Sequence, residues 1–159
     1  MLFRSLVKGL VLANTTGQYP PEAQAGWQQR IATVEQQGLP AIAEMVMQRY
    51  FHEGFRAAHP EVVDAARATL LRTDPAGYVG ACHAARSVDW LAELPRIACP
   101  TLVIAGARDV GAPPTMSQGI AQRIPGAQLV QFDEASHLSV AEQPAQFAQA
   151  LDAFLARVG

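Results

Sequence analysis

Two residues with complementary chemistry, Asp109 and His137, each follow an apolar run that is typical of a β-strand, Thr101–Ala105 and Gln128–Phe132. A helical stretch of about 11 residues between the runs covers about 16 Å, and the second strand returns about the same distance. Both side chains should therefore emerge at the carboxyl edge of one parallel sheet, where open α/β sheets place their ligands. A carboxylate there can orient a histidine that takes a proton from a nucleophile. The pair predicts acid–base catalysis that activates a nucleophile.

Each residue of this pair also has a simpler interpretation. An aspartate in a turn usually forms an Asx turn or caps a helix, and a histidine in a loop is usually a solvated side chain. Asp133 and Glu134 lie near His137 in the sequence and rival Asp109 as its partner. We favour Asp109 because it follows the neighbouring strand.

The elements that must position the pair begin with three apolar runs of strand length, of which Gly9–Ala13 comes first in the chain. Gly9–Ala13 and Thr101–Ala105 show no alternation, which predicts strands covered on both faces in a parallel sheet under helices. With Gln128–Phe132 they predict an α/β fold of three parallel strands with flanking helices. In so small a sheet Gly9–Ala13 would expose an apolar edge, which native folds normally avoid.

Helical composition and stop signals predict six helices, four of them between the first two strands. Proline in the first turn supports several of the predicted helix starts, for example the one after Asp74. The predicted helices are Glu22–Gln37, Leu39–Phe51, Glu61–Arg72, Ala76–Arg86, Pro114–Arg123 and Pro144–Val158. A three-stranded sheet with a helical cap is an incomplete α/β domain, although 159 residues, half of them hydrophobic, would suffice for a compact core.

Composition excludes several other classes of function. The formal net charge is −2 and the basic residues form no run, so we expect no nucleic-acid partner. The longest apolar runs are too short to cross a bilayer, so we expect no membrane partner. Cys82 and Cys99 are too few for a disulfide framework and lack metal-ligand spacing, which favours a cytoplasmic protein without a metal. We expect Cys82 to be a buried, inert thiol.

Four segments resemble a known family. Gly106–Pro114 (GARDVGAPP) and Ala135–Pro144 (ASHLSVAEQP) resemble the acid loop and the histidine loop of the α/β-hydrolases. Lys8–Gly17 (KGLVLANTTG) resembles the strand at whose end their cap is inserted. Thr73–Trp90 (TDPAGYVGACHAARSVDW) resembles the cap of the 3-oxoadipate enol-lactonases, which has a similar D-P-x-G-Y…C-x-A-x-R run. The resemblance extends from residue 7 to the end of the chain.

This resemblance implies a partial α/β-hydrolase fold with a function for each part. Residues 6–17 and 93–159 would form the C-terminal part of the hydrolase core, and residues 18–92 would form the helical cap. Asp109 would be the triad acid and His137 the general base. The implied reaction is cofactor-free hydrolysis of an enol-lactone, a small-molecule substrate, to a keto acid in the β-ketoadipate pathway of aromatic catabolism.

The sequence departs from the family at the nucleophile. A G-x-S-x-G elbow, which positions the catalytic serine, does not occur in the chain. The serines are Ser5, Ser87, Ser117, Ser136 and Ser139. In the family, the oxyanion-hole donors also come from a more N-terminal region, so we expect the chain alone to be inactive. We expect residues 1–5 to be an artefactual leader joined to a truncated gene; the alternative is a split gene, with the N-terminal half on a second chain.

Other functions remain open at this point. The resemblance also fits a carboxylesterase, a C–C bond hydrolase or a perhydrolase of the same fold. From a different class, the chain could be a non-catalytic module that pairs its exposed strand Gly9–Ala13 with another polypeptide.

Candidate substrate-binding residues lie in the predicted cap, and they are Trp27, Tyr78 and Arg86. Aromatic residues at helical spacing more often belong to a core, and this alternative applies to both aromatic candidates and to Trp90. A substrate with a carboxylate would need a cationic partner. Arg86, Arg49 and Arg30 are available, and each is also an ordinary charge for an exposed helix face.

Overall fold

A computed structural model of the chain describes residues 6–158 and contains a three-stranded parallel sheet. The strands are β1 (Leu10–Ala13), β2 (Thr101–Gly106) and β3 (Gln128–Phe132), in the order β1-β2-β3. Leu10 pairs with Thr101, and Leu102 pairs with Gln128, so that all three strands run in one direction. The predicted α/β class is confirmed. The predicted leader, residues 1–5, lies outside the described residues.

The two outer strands are less covered than the central one. All six residues of β2 are buried, as predicted. No residue of β1 is fully buried, and Ala13 is exposed. A groove of about 670 Å³ runs beside β1 and is lined in part by Leu10, Leu12 and Trp90. β1 is thus only partly covered: Val11 and Leu12 pack against the clusters on the two faces of the sheet, while Leu10 and Leu12 line this open groove.

Eight α-helices lie within the described residues. In chain order they are α1 (Ala23–Gln37), α2 (Ala43–Tyr50), α3 (Glu53–Ala58), α4 (Pro60–Arg72), α5 (Pro75–Arg86), α6 (Pro114–Arg123), α7 (Ser139–Glu142) and α8 (Pro144–Val158). The predicted helix Leu39–Phe51 is instead a 3₁₀ turn, Leu39–Ile42, followed by α2. The reason is local, because Ile42 has φ −111° and ψ −5°, which interrupts regular α-helical geometry.

Two short helices, α3 and α7, have no counterpart in the prediction. The first residue flanking α3 is His52, whose ring accepts a hydrogen bond from the Phe55 backbone N–H at 3.3 Å. Histidine is not one of the common N-cap residues, so the sequence carries no start signal there. Helix α7 has only four residues, too few for a hydrophobic period.

The sheet packs against helices on both faces. Ile104 of β2 packs with Phe154 of α8 on one face. The next residue back along the strand, Val103, packs with Ile120 of α6 on the other face. This alternation follows from the two-residue period of a strand. Packing on both faces holds β2 in place, and it therefore also positions the loop after β2 that carries Asp109.

The helices between β1 and β2, which the sequence analysis expects to be a cap, share a hydrophobic core of their own. The buried residues of that core are Val34, Leu39, Ile42, Ala43, Val46, Met47, Phe51, Phe55, Val63 and Leu70. The two ends of the cap meet at a neck, where the Trp90 backbone N–H donates to the Gly17 carbonyl at 2.8 Å. The Gln18 side-chain amide donates to the Asp89 carboxylate beside it at 3.0 Å. The cap therefore leaves and rejoins the sheet at one place.

Two side-chain predictions for the cap have different outcomes. Cys82 is buried, as predicted, and burial raises the pKa of its thiol, which disfavours the reactive thiolate. Trp90 is 61% exposed, so its interpretation as a core residue is wrong. No helix within residues 6–158 is both long enough and apolar enough to cross a membrane.

Candidate active site

The structure brings Asp109 and His137 together at the carboxyl edge of the sheet. Nδ1 of His137 lies 2.8 Å from Oδ2 of Asp109. Asp109 lies in the loop after β2 and His137 in the loop after β3, the two neighbouring strands used in the prediction. The separation is that of a charge-assisted hydrogen bond, so the two side chains can work as a unit.

The carboxylate of Asp109 is held from several directions. Its Oδ1 accepts hydrogen bonds from the backbone N–H groups of Gly111 at 2.6 Å and Ala112 at 2.9 Å. Its Oδ2 accepts from His137 and, at 3.4 Å, from the amide of Asn14. These four donors match the capacity of an ionised carboxylate, which only accepts. Nδ1 of His137 is therefore the protonated nitrogen, and Nε2 is left as the basic one.

The ring of His137 is fixed on its face as well as at its edge. The ring of Tyr50 stacks on it with centroids 5.6 Å apart and an interplanar angle of 21°. The backbone N–H of Leu138 donates to the Tyr50 carbonyl at 3.0 Å. The His137 side chain remains 28% exposed, whereas that of Asp109 is fully buried. The last residue of α2 thus orients a histidine that is still open to a reacting group.

Asn14 is a structural partner that the sequence reasoning missed. It follows β1 directly with φ 49°, a left-handed conformation that asparagine tolerates better than most residues. Besides contacting Asp109, its amide donates to the Ser136 carbonyl at 2.9 Å, and its Oδ1 accepts from the Ser139 hydroxyl. A polar residue at the end of the first strand is the sequence signal that could have identified it.

Glu142 is a second residue that the sequence reasoning missed. It is 6% exposed, and its carboxylate accepts hydrogen bonds from two backbone N–H groups. One belongs to His52 in the cap, at 2.9 Å, and the other belongs to Ser136 beside the candidate base. A single buried carboxylate therefore ties the cap to the histidine loop.

The acid loop and the histidine loop approach each other at Gly106. A side chain at this position would place its Cβ 2.2 Å from the Ser136 carbonyl oxygen and 2.5 Å from that of Ala135. The backbone N–H of Arg108 also donates to the Ala135 carbonyl at 2.9 Å. Only glycine allows this contact between two backbones, and the contact sets the spacing of Asp109 and His137.

Asp133 and Glu134, the two other carboxylates considered as partners of His137, make their contacts with other residues. Asp133 accepts a hydrogen bond from Gln131 at 3.4 Å, and Glu134 forms an exposed ion pair with Arg108. Asp109 is therefore the carboxylate that contacts the histidine.

The hydroxyl groups of the serines in the described residues donate to carbonyl or amide oxygens. Ser136 is the one adjacent to His137, and its Oγ donates to the Arg108 carbonyl at 3.2 Å. Ser139 donates to Asn14, Ser117 to the Thr15 carbonyl at 3.5 Å, and Ser87 to the Ala84 carbonyl at 2.9 Å. Ser5 lies outside the described residues. None of these four hydroxyls is hydrogen-bonded to the candidate base.

The substrate-binding candidates of the cap are dispersed. Trp27 lines a cavity of about 470 Å³ between α1 and α2. Tyr78 packs against the cap core, and its burial raises the pKa of the phenol to about 12. Arg86 lies at the end of α5 and is not among the residues that line the cavity, although its carbonyl accepts from Gln24 at 3.1 Å.

Arg30 and Arg49, which the sequence analysis named with Arg86 as available cations, line the cavity with Trp27. Tyr19 completes this wall, and its ring meets that of Trp27 edge to face with centroids 5.3 Å apart. Burial raises the pKa of Tyr19, and the positive charge of Arg49 opposes the rise. The cavity therefore combines an aromatic surface with cationic groups.

Comparison with known proteins gives concordant results. A family model described as the alpha/beta hydrolase family matches residues 1–150. The chain is 37% identical over 148 residues to 3-oxoadipate enol-lactonase 2 of Acinetobacter baylyi. The aligned region covers 93% of this chain and 54% of that protein. The chain thus spans about half the length of the curated relatives it matches.

Solved structures show the same similarity in three dimensions. The enol-lactonase of Burkholderia xenovorans LB400 superimposes with a TM-score of 0.88 at 32% identity, covering 94% of this chain and 56% of that one. A thermophilic esterase from Thermogutta terrifontis, solved with malate bound, superimposes with a TM-score of 0.89 at 32% identity. In that case 99% of this chain and 58% of the esterase are covered.

Proposed function

This chain belongs to the alpha/beta hydrolase family, and from that premise we propose that it supplies the acid and the base of a serine-type ester or lactone hydrolase. The observation that carries the proposal is the 2.8 Å contact between Asp109 and His137 at the carboxyl edge of the sheet. Residues 6–17 and 93–159 are its share of the hydrolase core in this proposal, and residues 18–92 are the cap. The neck between Gly17 and Trp90 supports this division.

In the proposed mechanism, Nε2 of His137 takes the proton of a serine hydroxyl as that oxygen attacks the ester or lactone carbonyl. Asp109 keeps the ring in the productive tautomer and stabilises the imidazolium. The same histidine then protonates the leaving oxygen and later activates a water molecule that releases the acid product. Tyr50 holds the ring plane during these transfers through its stacking contact.

Within the described residues, no serine hydroxyl is hydrogen-bonded to His137, and the family resemblance assigns both the serine nucleophile and the oxyanion-hole donors to a more N-terminal region. The hydroxyls of Ser87, Ser117, Ser136 and Ser139 are engaged elsewhere, and the sequence has no G-x-S-x-G elbow. We infer that these groups reside in a segment equivalent to the N-terminal half of the longer relatives. The chain alone should then have no esterase activity, because the nucleophile and the electrostatic stabilisation are both missing.

The favoured substrate class is an enol-lactone opened to a keto acid. The relatives from Acinetobacter and Burkholderia are named enol-lactonases, and the similarity to them extends over more than nine-tenths of this chain. A simple carboxylic ester is the second candidate, because the Thermogutta esterase has an equally similar fold at the same sequence identity.

Two assays test this proposal. In the first, the chain alone is assayed with 4-nitrophenyl acetate and with 3-oxoadipate enol-lactone, and no turnover above buffer is expected. Turnover that disappears in His137→Ala would show that a nucleophile resides in this chain and would overturn the proposed division of labour. In the second, the N-terminal region of the Acinetobacter enzyme is fused ahead of residue 6, and kcat/KM is compared for the two substrates. A higher kcat/KM for the lactone supports the enol-lactonase, and a preference for the ester supports the esterase.

A further inference from the structure

The histidine loop supplies hydrogen-bond donors to the end of helix α2 in the cap. The Ser136 hydroxyl donates to the Arg49 carbonyl at 3.4 Å, and the Leu138 backbone N–H donates to the Tyr50 carbonyl at 3.0 Å. The last carbonyls of an α-helix have no partner within the helix itself. Two carbonyls at the end of α2 therefore obtain their partners from the segment that carries the candidate base.

Apolar packing joins the same two segments. Leu138 and Ala141 pack against the hydrophobic core of the cap, although both follow β3 in the sequence. Tyr50 packs against that core as well, and its ring stacks on His137 with centroids 5.6 Å apart. The stacked pair of rings thus lies where the cap and the histidine loop meet.

Glu142 completes this junction with a buried carboxylate. The carboxylate accepts the His52 backbone N–H at 2.9 Å and also the Ser136 backbone N–H, and the residue is 6% exposed. Within residues 6–158 it forms no ion pair with a cationic side chain. Burying a carboxylate without a cation has a desolvation cost that an apolar side chain would not have. What the carboxylate provides in return is a fixed distance between two backbone groups.

These two backbone groups flank the stacked rings. His52 is two residues after Tyr50, and Ser136 directly precedes His137. We propose that Glu142 is a positioning residue for the base, because it holds the Tyr50 ring against the ring of His137 by fixing the chain next to each of them. This inference rests on the proposed function, since the position of a base matters only to a reaction.

Glu142 and Asp109 would restrict different movements of the imidazole. The hydrogen bond to Oδ2 of Asp109 fixes Nδ1 of His137 but leaves the ring free to tilt about that bond. The stacked ring of Tyr50 opposes this tilt. A tilt redirects Nε2, the atom that must take the proton of the nucleophile. A displacement of about 1 Å at a reacting group can lower a rate about 100-fold, so Glu142 should affect catalysis without touching the substrate.

The first test is ¹H–¹³C NMR of the His137 ring in the full chain. The chain has four histidines, and the signal that is missing in His137→Gln identifies the ring in question. Tyr50→Leu gives the position of that signal without the stacked aromatic neighbour. Glu142→Gln should move the signal from its position in the parent towards its position in Tyr50→Leu. The matched control Glu134→Gln, at an exposed ion pair with Arg108, should leave it in place.

A second variant separates position from charge. Glu142→Asp keeps the charge, but its side chain is one methylene shorter and cannot reach both backbone N–H groups. It should therefore move the His137 signal in the same direction as Glu142→Gln. The dispersion of the amide signals shows whether each variant is folded. If neither variant folds, Glu142 acts on the fold as a whole and the proposal is refuted.

The second test is a double-mutant cycle in the fused enzyme with the lactone as substrate. Glu142→Gln should lower kcat about 10- to 100-fold with little change in KM, because it displaces the base and not the substrate. Tyr50→Leu should also lower kcat, and the double variant should lose little more than the more impaired single variant. Two residues that act through one contact show such non-additive effects, whereas a residue that only stabilises the fold would act independently of Tyr50.

Two results would overturn the positioning role: a parent-like His137 signal in the folded Glu142 variants, or losses of kcat that multiply in the double variant. The NMR test needs no nucleophile, so its result is independent of hydrolysis. A displaced His137 signal together with an inactive fused enzyme would refute the proposed function alone. An active fused enzyme whose kcat is unchanged by Glu142→Gln would refute the positioning role alone.

Discussion

Replacement of Glu142 by alanine should destabilise the protein strongly, although this residue does not contact Asp109 or His137. Its carboxylate accepts the backbone N–H groups of His52 and Ser136 in a nearly inaccessible position. Removing it leaves two buried donors without an acceptor and opens a small cavity. A hydrogen bond to a charged group contributes about 1.5–3 kcal/mol, and two bonds at one site are not fully additive. We expect Glu142→Ala to lower the free energy of unfolding by about 3–5 kcal/mol.

The assay is equilibrium urea unfolding of the chain followed by far-UV circular dichroism. Glu134→Ala is the matched control, because Glu134 belongs to the same region of the chain but forms an exposed ion pair with Arg108. An exposed pair contributes at most about 1 kcal/mol, so this variant should unfold almost like the parent. Glu142→Gln keeps one amide oxygen as an acceptor and should lie between the two.

The location of the damage is a second part of this prediction. Because Glu142 joins the cap to the histidine loop, hydrogen exchange in Glu142→Ala should accelerate first at the amides of His52 and Ser136. If Glu142→Ala unfolded within about 1 kcal/mol of Glu134→Ala, the view that this carboxylate joins the two parts would be refuted.

Three further predictions concern the same edge of the sheet and the cap. Gly106→Ala should lower the free energy of unfolding, measured in urea, by more than about 2 kcal/mol, because the alanine Cβ would overlap the Ser136 carbonyl. An unchanged free energy of unfolding would contradict the close approach of the two backbones at Gly106. Asn14→Gly keeps the left-handed backbone but removes the side-chain bonds, so the Nδ1 proton signal of His137 should broaden in ¹H NMR without loss of the fold; an unchanged signal would contradict a positioning role. Burial raises the pKa of Tyr78 to about 12 from an ordinary value near 10, so the unfolded state loses its proton first as pH rises. The free energy of unfolding should fall between pH 10 and 12 by more in the parent than in Tyr78→Phe. Urea unfolding at several pH values measures this fall, and an equal fall in the two proteins would contradict the prediction.

The pairing of Asp109 with His137 could be predicted from the sequence because it follows from distances along regular elements. A helix of known rise and a strand of known rise return the chain to one edge of the sheet, whatever the side chains between them. Turn residues then place the two side chains at that edge. The structure places both there, in contact.

The partners of the pair could not be predicted because they depend on contacts between distant segments. Asn14 meets Ser139 across 125 positions, and Glu142 meets His52 across 90. In the sequence, both residues resemble ordinary turn and helix residues. No local pattern distinguishes a buried carboxylate that binds two backbone groups from an exposed one.

The position of each cap arginine relative to the cavity could not be predicted for a similar reason. Arg30, Arg49 and Arg86 have equivalent sequence contexts, on helices with polar and apolar residues mixed. Which of them lines the cavity is decided by the packing of α1 against the 3₁₀ turn and α2, which breaks the predicted helix Leu39–Phe51. A break of this kind in a helix rotates the side chains that follow it, and the spacing of hydrophobic residues alone does not reveal the break.

The central claim is that this chain contributes the acid and the base of a hydrolase, and the fused enzyme tests it most directly. The measurement is kcat for lactone hydrolysis by the fusion carrying His137→Ala, relative to the unsubstituted fusion, with both shown to be folded by circular dichroism. We predict measurable hydrolysis by the unsubstituted fusion and a loss of about 10⁴-fold or more with His137→Ala. A folded fusion without activity, or one that keeps more than about a tenth of its kcat after the substitution, would contradict the claim.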